Sequence, residues 1–252
     1  MINIKKILYS NLSCDNYLRV LQRSYFLLYK LGFLKFNSKF AYHYYAKKLI
    51  NKGDTVIDIG SNLGYYSILF ARWVGNEGKV YSVEPVPIYN KIFSEHARKY
   101  LNITLFPYAL GNEEKEVEMA SVVSSGYLRT GLSHVYNAGK EDDSRYCGLD
   151  PQSLKYGFRV KSQMKIASEL FKDISKINYI KIDIEGDELV VLSDMRELIK
   201  KHKPIIQVEM NDHRVTDLLH QLGYSAYRVA GKKLVKIQTE VELEGDALFI
   251  NN

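Results

Sequence analysis

Cysteine is nearly absent from this chain of 252 residues: Cys14 and Cys147 lie far apart and in no CxxC arrangement. That excludes a disulfide framework or a cysteine-based zinc site, and both read as packing residues. No apolar run reaches the roughly 18 residues of a spanning helix, and the apolar patch in MINIKKILYSNLSCDN is too short for the core of a signal peptide. A cytoplasmic protein is therefore expected. There is no GxGxxG, no internal repeat and no Pro-rich linker. Acidic residues are almost missing from the first 50 positions, where Asp15 stands alone against nine lysines and arginines, although the whole chain carries only +6. Such a segment suits an anionic substrate, nucleic acid or a membrane surface. No nucleic-acid module accompanies it, so nucleic acid is not expected as a partner.

What is present is organised around residues 54–64, DTVIDIGSNLG. Val56, Ile57 and Ile59 suit a buried strand, and YYSILFARWV after them reads as a helix, so Gly60 and Gly64 lie on a strand-to-helix turn. A helix N-terminus at such a turn favours an anionic group. The spacing here is DxGxxxG, beginning at Asp58, rather than the dinucleotide fingerprint. It resembles motif I of the class I S-adenosylmethionine-dependent methyltransferases.

Strands and helices then alternate: strand 79–85, helix 87–101, one strand over 102–110, helix 166–174, strand 178–183, helix 187–202, strand 203–211 and helix 213–223. SAYRVA and KLVKI across Gly231 read as a hairpin, and DALFI as a last strand. The alternation predicts an α/β, Rossmann-like sheet, mostly parallel, with helices on both faces. Residues 115–163 break the rhythm. VEMASVV reads as a strand and the rest as a long polar insertion on the substrate side. Residues 17–36 read as a helix, with Leu18, Leu21, Tyr25 and Leu28 at helical spacing. It packs on its own domain or, in a sharper alternative, lies on a membrane as a basic amphipathic helix. The expected organisation is an N-terminal helical cap, 1–48, and a methyltransferase domain, 49–252.

Ligands of open parallel sheets bind beyond the carboxyl ends of the strands. Asp58, Glu84, Asp183, Glu185 and Glu209 all fall at such ends. Glu84, about twenty residues beyond the glycine turn, stands where an acid accepts hydrogen bonds from ribose hydroxyls. Asp183 is the candidate general base for a hydroxyl acceptor. The same carboxylates also suit a divalent metal such as Mg or Mn, with Asp183, Glu209 and His134 as ligands beside Glu185.

With DIGSNLG, VEP, PYALG, KIDIEGDE and PIIQVE read in order, the chain resembles the FkbM family of S-adenosylmethionine-dependent methyltransferases. The resemblance implies a seven-stranded sheet whose last strand is antiparallel, and O-methylation of a sugar or polyketide hydroxyl. It also implies that Gly60, Asn62, Gly64 and Tyr65 surround the methionyl end of the cofactor, Glu84 the ribose, and Tyr108, Ala109 and Leu110 the adenine. A sugar or nucleotide-sugar acceptor in surface-polysaccharide synthesis is expected, and the basic segment favours an anionic one. A homo-oligomer is compatible with the sequence. The competing readings are a non-catalytic protein docking through its basic segment and an NAD-dependent oxidoreductase, which the absent GxGxxG disfavours.

Overall fold

A computed structural model describes residues 3–136, 155–210, 212–238 and 245–251. Cys147, Asn211 and the middle of the expected insertion lie outside the described residues. Two helices open the chain, α1 (Ile4–Asn11) and α2 (Cys14–Leu31). Ser13 accepts a hydrogen bond from the Asn16 amide at the start of α2, Asp15 and Lys30 suit the two ends of its dipole, and Gly32 closes it in the left-handed conformation at φ +80°. The helix expected over 17–36 therefore starts three residues earlier and stops at Leu31, and Phe33–Phe36 form a single tight turn. A short helix α3 (Ala41–Tyr45) follows.

The alternating part then unfolds as β1 (Thr55–Ile59), α4 (Tyr65–Val74), β2 (Lys79–Val83), α5 (Pro87–Ala97) and β3 (Ile103–Phe106). Three long strands and one short one come next: β4 (Tyr108–Gly111), β5 (Lys115–Ser124), β6 (Tyr127–Val135) and β7 (Lys155–Ile166). After these come α6 (Ala167–Phe171), β8 (Tyr179–Ile182), α7 (Glu188–Asp194), α8 (Arg196–His202), β9 (Ile205–Met210) and α9 (Arg214–Gln221). The hairpin β10 (Tyr224–Ala230) and β11 (Lys233–Lys236) and the strand β12 (Gly245–Asn251) end the described chain.

The main sheet runs β11-β10-β12-β9-β8-β1-β2-β3. Its five strands from β9 to β3 are parallel, and β12 enters antiparallel between β9 and β10. This is the α/β class I methyltransferase arrangement, with β11 as an eighth strand added by the expected hairpin. Helices cover both faces. Ile57 and Ile59 join Val191 and Leu192 in one core, while Val56 just before them joins Phe70 and Val74 in another.

Three expectations need correction. Residues 102–110 are not one strand: Pro107, with no N–H to give to a ladder, separates β3 in the main sheet from β4 in a second one. The insertion is not a polar loop over its described parts, because β5, β6 and β7 build a four-stranded sheet with β4, in the order β4-β7-β5-β6. The helix expected over 187–202 is also divided, into α7 and α8 at the fully buried Met195.

Candidate active site

The glycine turn is shaped first by the protein's own packing. A Cβ on Gly60, at φ +76°, would sit 1.8 Å from the carbonyl oxygen of Asp183, and one on Gly64, at φ +77°, would sit 2.3 Å from the ring of Phe93. Only glycine lets β1 end against β8 and α4 begin against α5. Between them Asn62 takes a left-handed φ of 51°. Its amide donates to Glu84 Oε2 at 2.8 Å, and its side-chain amide donates to the Thr130 carbonyl of β6 at 2.8 Å, which joins the turn to the second sheet.

Glu84 closes β2. It is 5% exposed, and its other oxygen accepts the Val86 amide at 2.8 Å. Each carboxylate oxygen keeps a second lone pair, so the group can still accept from a diol. It floors a cleft walled by Ile59, Asn62, Val86, Ala109, Leu110 and Met119. Glu84 with the apolar Val86, Ala109, Leu110 and Met119 beside it fits the adenosine part of S-adenosylmethionine.

Burial pushes the Glu84 carboxyl up to about 7, against the pull of the Val86 and Asn62 amides. Because the folded value is the higher one, its contribution to stability is present below about 4.5 and lost as pH rises through about 7. For the ribose contact expected of Glu84, cofactor binding runs the other way, since the ionised group is the stronger acceptor of hydroxyls. Affinity for S-adenosylhomocysteine is expected to rise about tenfold between about pH 6 and pH 8, and to be flat in Glu84→Gln. Calorimetric titration at stepped pH reads this directly, and an equal pH dependence in both proteins would exclude Glu84 as its source.

A second group of acids lies at the ends of β8 and β9. Asp183, Glu185 and Glu209 each present an oxygen within 4.8 Å of the others. Asp183 and Glu185 also line the cleft. Glu185 is held at φ +60°, a backbone strain of about 1–3 kcal/mol for a non-glycine residue. Glu188, buried at the start of α7, accepts the amides of Ile184 and Gly186 at 2.9 and 3.0 Å and holds this turn. Burial raises the carboxyls of Glu185 and Glu209, and the neighbouring acids raise them further. Glu185 and Glu209 thus retain protons near neutrality unless a cation or hydroxyl donors compensate them. Three carboxylates so placed fit a hard divalent cation by the chemistry of their oxygens.

Lys181 lies beneath this cluster with its side chain 4% exposed. Its ammonium donates to Asp183 Oδ2 at 2.9 Å, stands 3.9 Å from Asp58 Oδ1 and lies over the Tyr66 ring.

The sequence-derived residues separate into three sets. Gly60, Asn62, Glu84, Tyr108, Ala109, Leu110, Asp183 and Glu185 line the cleft, and Glu209 joins the last two. Asp58, Gly64 and Tyr65 lie behind the turn. Asp58 is fully buried and accepts the Ser67 hydroxyl, and Tyr65 packs on Tyr25 at 4.5 Å between ring centres. His134 is brought to neither group. It is buried in β6 with Nδ1 3.1 Å from the Leu132 carbonyl, while its neighbours Ser133 and Val135 line the cleft. Strand alternation turns it to the other face.

Sequence reasoning missed Lys181, Glu188, Asp246 and the β6 wall of Thr130 and Ser133. Lys181 was legible as a cation inside an apolar strand. Asp246 was not: it reaches the cluster because β12 pairs with β9, setting it opposite Glu209. Burial and the nearby Asp183 push its carboxyl up to about 6.

The sequence matches the methyltransferase FkbM domain over residues 58–226, about two-thirds of the chain. The chain belongs to that family and is an S-adenosylmethionine-dependent methyltransferase. No curated protein matches it. Solved structures of similar fold include methyltransferase FkbM from Methylobacillus flagellatus KT, at 15% identity and TM-score 0.49, with 97% of this chain and 57% of that one covered. Another is Aeropyrum pernix fibrillarin in complex with S-adenosyl-L-methionine, at 10% identity and TM-score 0.44, covering 80% and 68%. A third is an S-adenosylmethionine-dependent O-methyltransferase from Thermotoga maritima, at 14% identity and TM-score 0.42, covering 84% and 64%.

Proposed function

We propose that the chain transfers a methyl group from S-adenosylmethionine to a hydroxyl of a sugar, as part of a surface polysaccharide or its nucleotide-sugar precursor. The observation that carries this reading is the cluster of Asp183, Glu185 and Glu209 beside a cleft floored by Glu84. Grouped carboxylates accept hydrogen bonds from the several hydroxyls of one sugar ring, and one of them takes the proton as the methyl group is transferred. Methyl transfer is an in-line displacement at the sulfonium carbon. Most of the rate therefore comes from holding the acceptor oxygen on the S–CH₃ axis.

The roles assigned in this reading are specific. Glu84 binds the ribose, Ala109 and Leu110 pack on the adenine, Asn62 and Gly60 border the methionyl end, and Asp183 is the base. Mg or Mn held by Asp183, Glu185 and Glu209 would lower the pKa of an acceptor hydroxyl. Without it, these residues still bind and orient the acceptor.

The test begins with EDTA-treated protein and S-adenosylhomocysteine. Saturable binding is expected, about 10- to 100-fold weaker in Glu84→Ala, the loss of charged hydrogen bonds worth about 1.5–3 kcal/mol. Methyl transfer to sugars and nucleotide sugars is then measured with and without added metal. A folded protein that binds no S-adenosylhomocysteine, even with metal restored, would favour the non-catalytic docking reading instead.

A further inference from the structure

Large apolar side chains that remain exposed are concentrated in the N-terminal segment. Among the described residues, seven of ten belong to the first 36 positions, and the others, Leu101, Val190 and Val235, are scattered along the rest of the chain. Isolated exposed apolar residues need no explanation, but a contiguous group does. In α2 the inner face is Leu18, Gln22, Tyr25 and Phe26, all buried. Leu27 and Leu31, one turn apart, with Leu28 beside them, occupy the opposite side and are exposed. Gly32 then turns the chain, and Phe33 and Phe36 follow at 60% and 91% exposure. The helix thus has two apolar stripes, one spent on the core and one unspent.

Cations accompany the outer stripe. Arg23 and Lys30 lie on one flank of it, and Lys35 and Lys39 follow in the turns beyond, all four exposed. The first 50 residues hold nine lysines and arginines and one aspartate. A second copy of this chain would bring the same positive charge against itself, which opposes pairing through this face. An anionic bilayer meets both requirements: its acyl boundary receives the leucines and phenylalanines, and its headgroups receive the cations. No helix among the described residues is long and apolar enough to cross a membrane. The contact is therefore one that lies on the surface.

We infer that the face formed by Leu27, Leu28, Leu31, Phe33 and Phe36, with its flanking cations, docks the protein on an anionic lipid surface. This inference is independent of the acceptor proposed above. The docked enzyme would work where a membrane-bound acceptor is presented.

Full-length protein sedimented with phosphatidylcholine–phosphatidylglycerol vesicles, mixed three to one, tests it. Binding is expected to these vesicles and not to phosphatidylcholine alone, to fall as salt is raised, and to weaken about tenfold or more in Leu31→Gln/Phe36→Ser. Both substituted side chains are exposed, so an unchanged circular-dichroism melt and an unchanged titration with S-adenosylhomocysteine are expected of the variant. Absence of binding to the anionic vesicles at low salt, or equal binding by the variant, overturns the inference. So does a wild-type dimer in light scattering that the variant abolishes without any lipid affinity, which would assign the face to a second copy.

Discussion

Asp183→Asn is expected to lower kcat for methyl transfer to the hydroxyl acceptor by about 10²- to 10⁴-fold, the usual contribution of a positioned general base. Affinity for S-adenosylhomocysteine is expected to change less than about threefold, because the base acts on the acceptor and not on the cofactor. The expectation rests on where Asp183 stands. It closes β8, its amide donates to the Ile59 carbonyl at 3.1 Å, and Lys181 holds one of its oxygens at 2.9 Å from below. Asparagine keeps the shape and can still accept from Lys181, but it cannot take a proton. Single-turnover kinetics with saturating cofactor separate the two effects. Loss of less than about tenfold would remove Asp183 as base and leave the reaction to positioning or to metal activation of the hydroxyl. Adding Mn or Mg to both proteins distinguishes these, since only the metal route responds to EDTA.

Lys181→Met is expected to destabilise the fold by about 3–5 kcal/mol, the cost of leaving a buried charge without its partner. Asp58 is fully buried, and among the described residues its Oδ1 has no hydrogen-bond donor, so the ammonium 3.9 Å away is its main compensation. Methionine replaces the stem but not the charge, and Asp58 must then fold neutral or unpaired. Urea denaturation should show a lower midpoint with an unchanged slope. Asp58→Asn in the same chain should recover part of the loss, because the uncompensated charge is then gone. A destabilisation below about 1 kcal/mol would mean that Asp58 is already neutral in the native protein. The pair also links β1 to β8, the two strands whose ends carry Gly60 and Asp183. Their register, Asp58 opposite Lys181, places the buried charges side by side under the cleft.

Local order was largely legible in the amino-acid sequence. The DIGSNLG turn, the acids at the ends of β2, β8 and β9, and the hairpin across Gly231 are all written in short-range patterns of apolar period, glycine and strand end. That is why Gly60, Glu84, Asp183 and Glu185 could be singled out; Asn62, Ala109 and Leu110 came from the family resemblance, and all seven line one cleft. The same patterns misplaced what depends on the direction of a side chain. His134 reads as a histidine near acids, but a strand in the second sheet turns it away from them. Asp58 and Tyr65, expected beside the cofactor, do not line the cleft: Asp58 is buried against Ser67 and Tyr65 packs on Tyr25.

What the sequence alone determined is the family, the parallel core of the sheet and most of the acids that face a ligand, because each of these follows from residues close together in the chain. Only the tertiary structure decided that the described parts of the insertion build a second sheet walling the cleft, that Asp246 stands opposite Glu209, and that α2 keeps an apolar stripe uncovered. Each of those depends on which distant segments pair or pack, and the energy of such contacts comes from burial between segments whose separation in sequence carries no periodic signal.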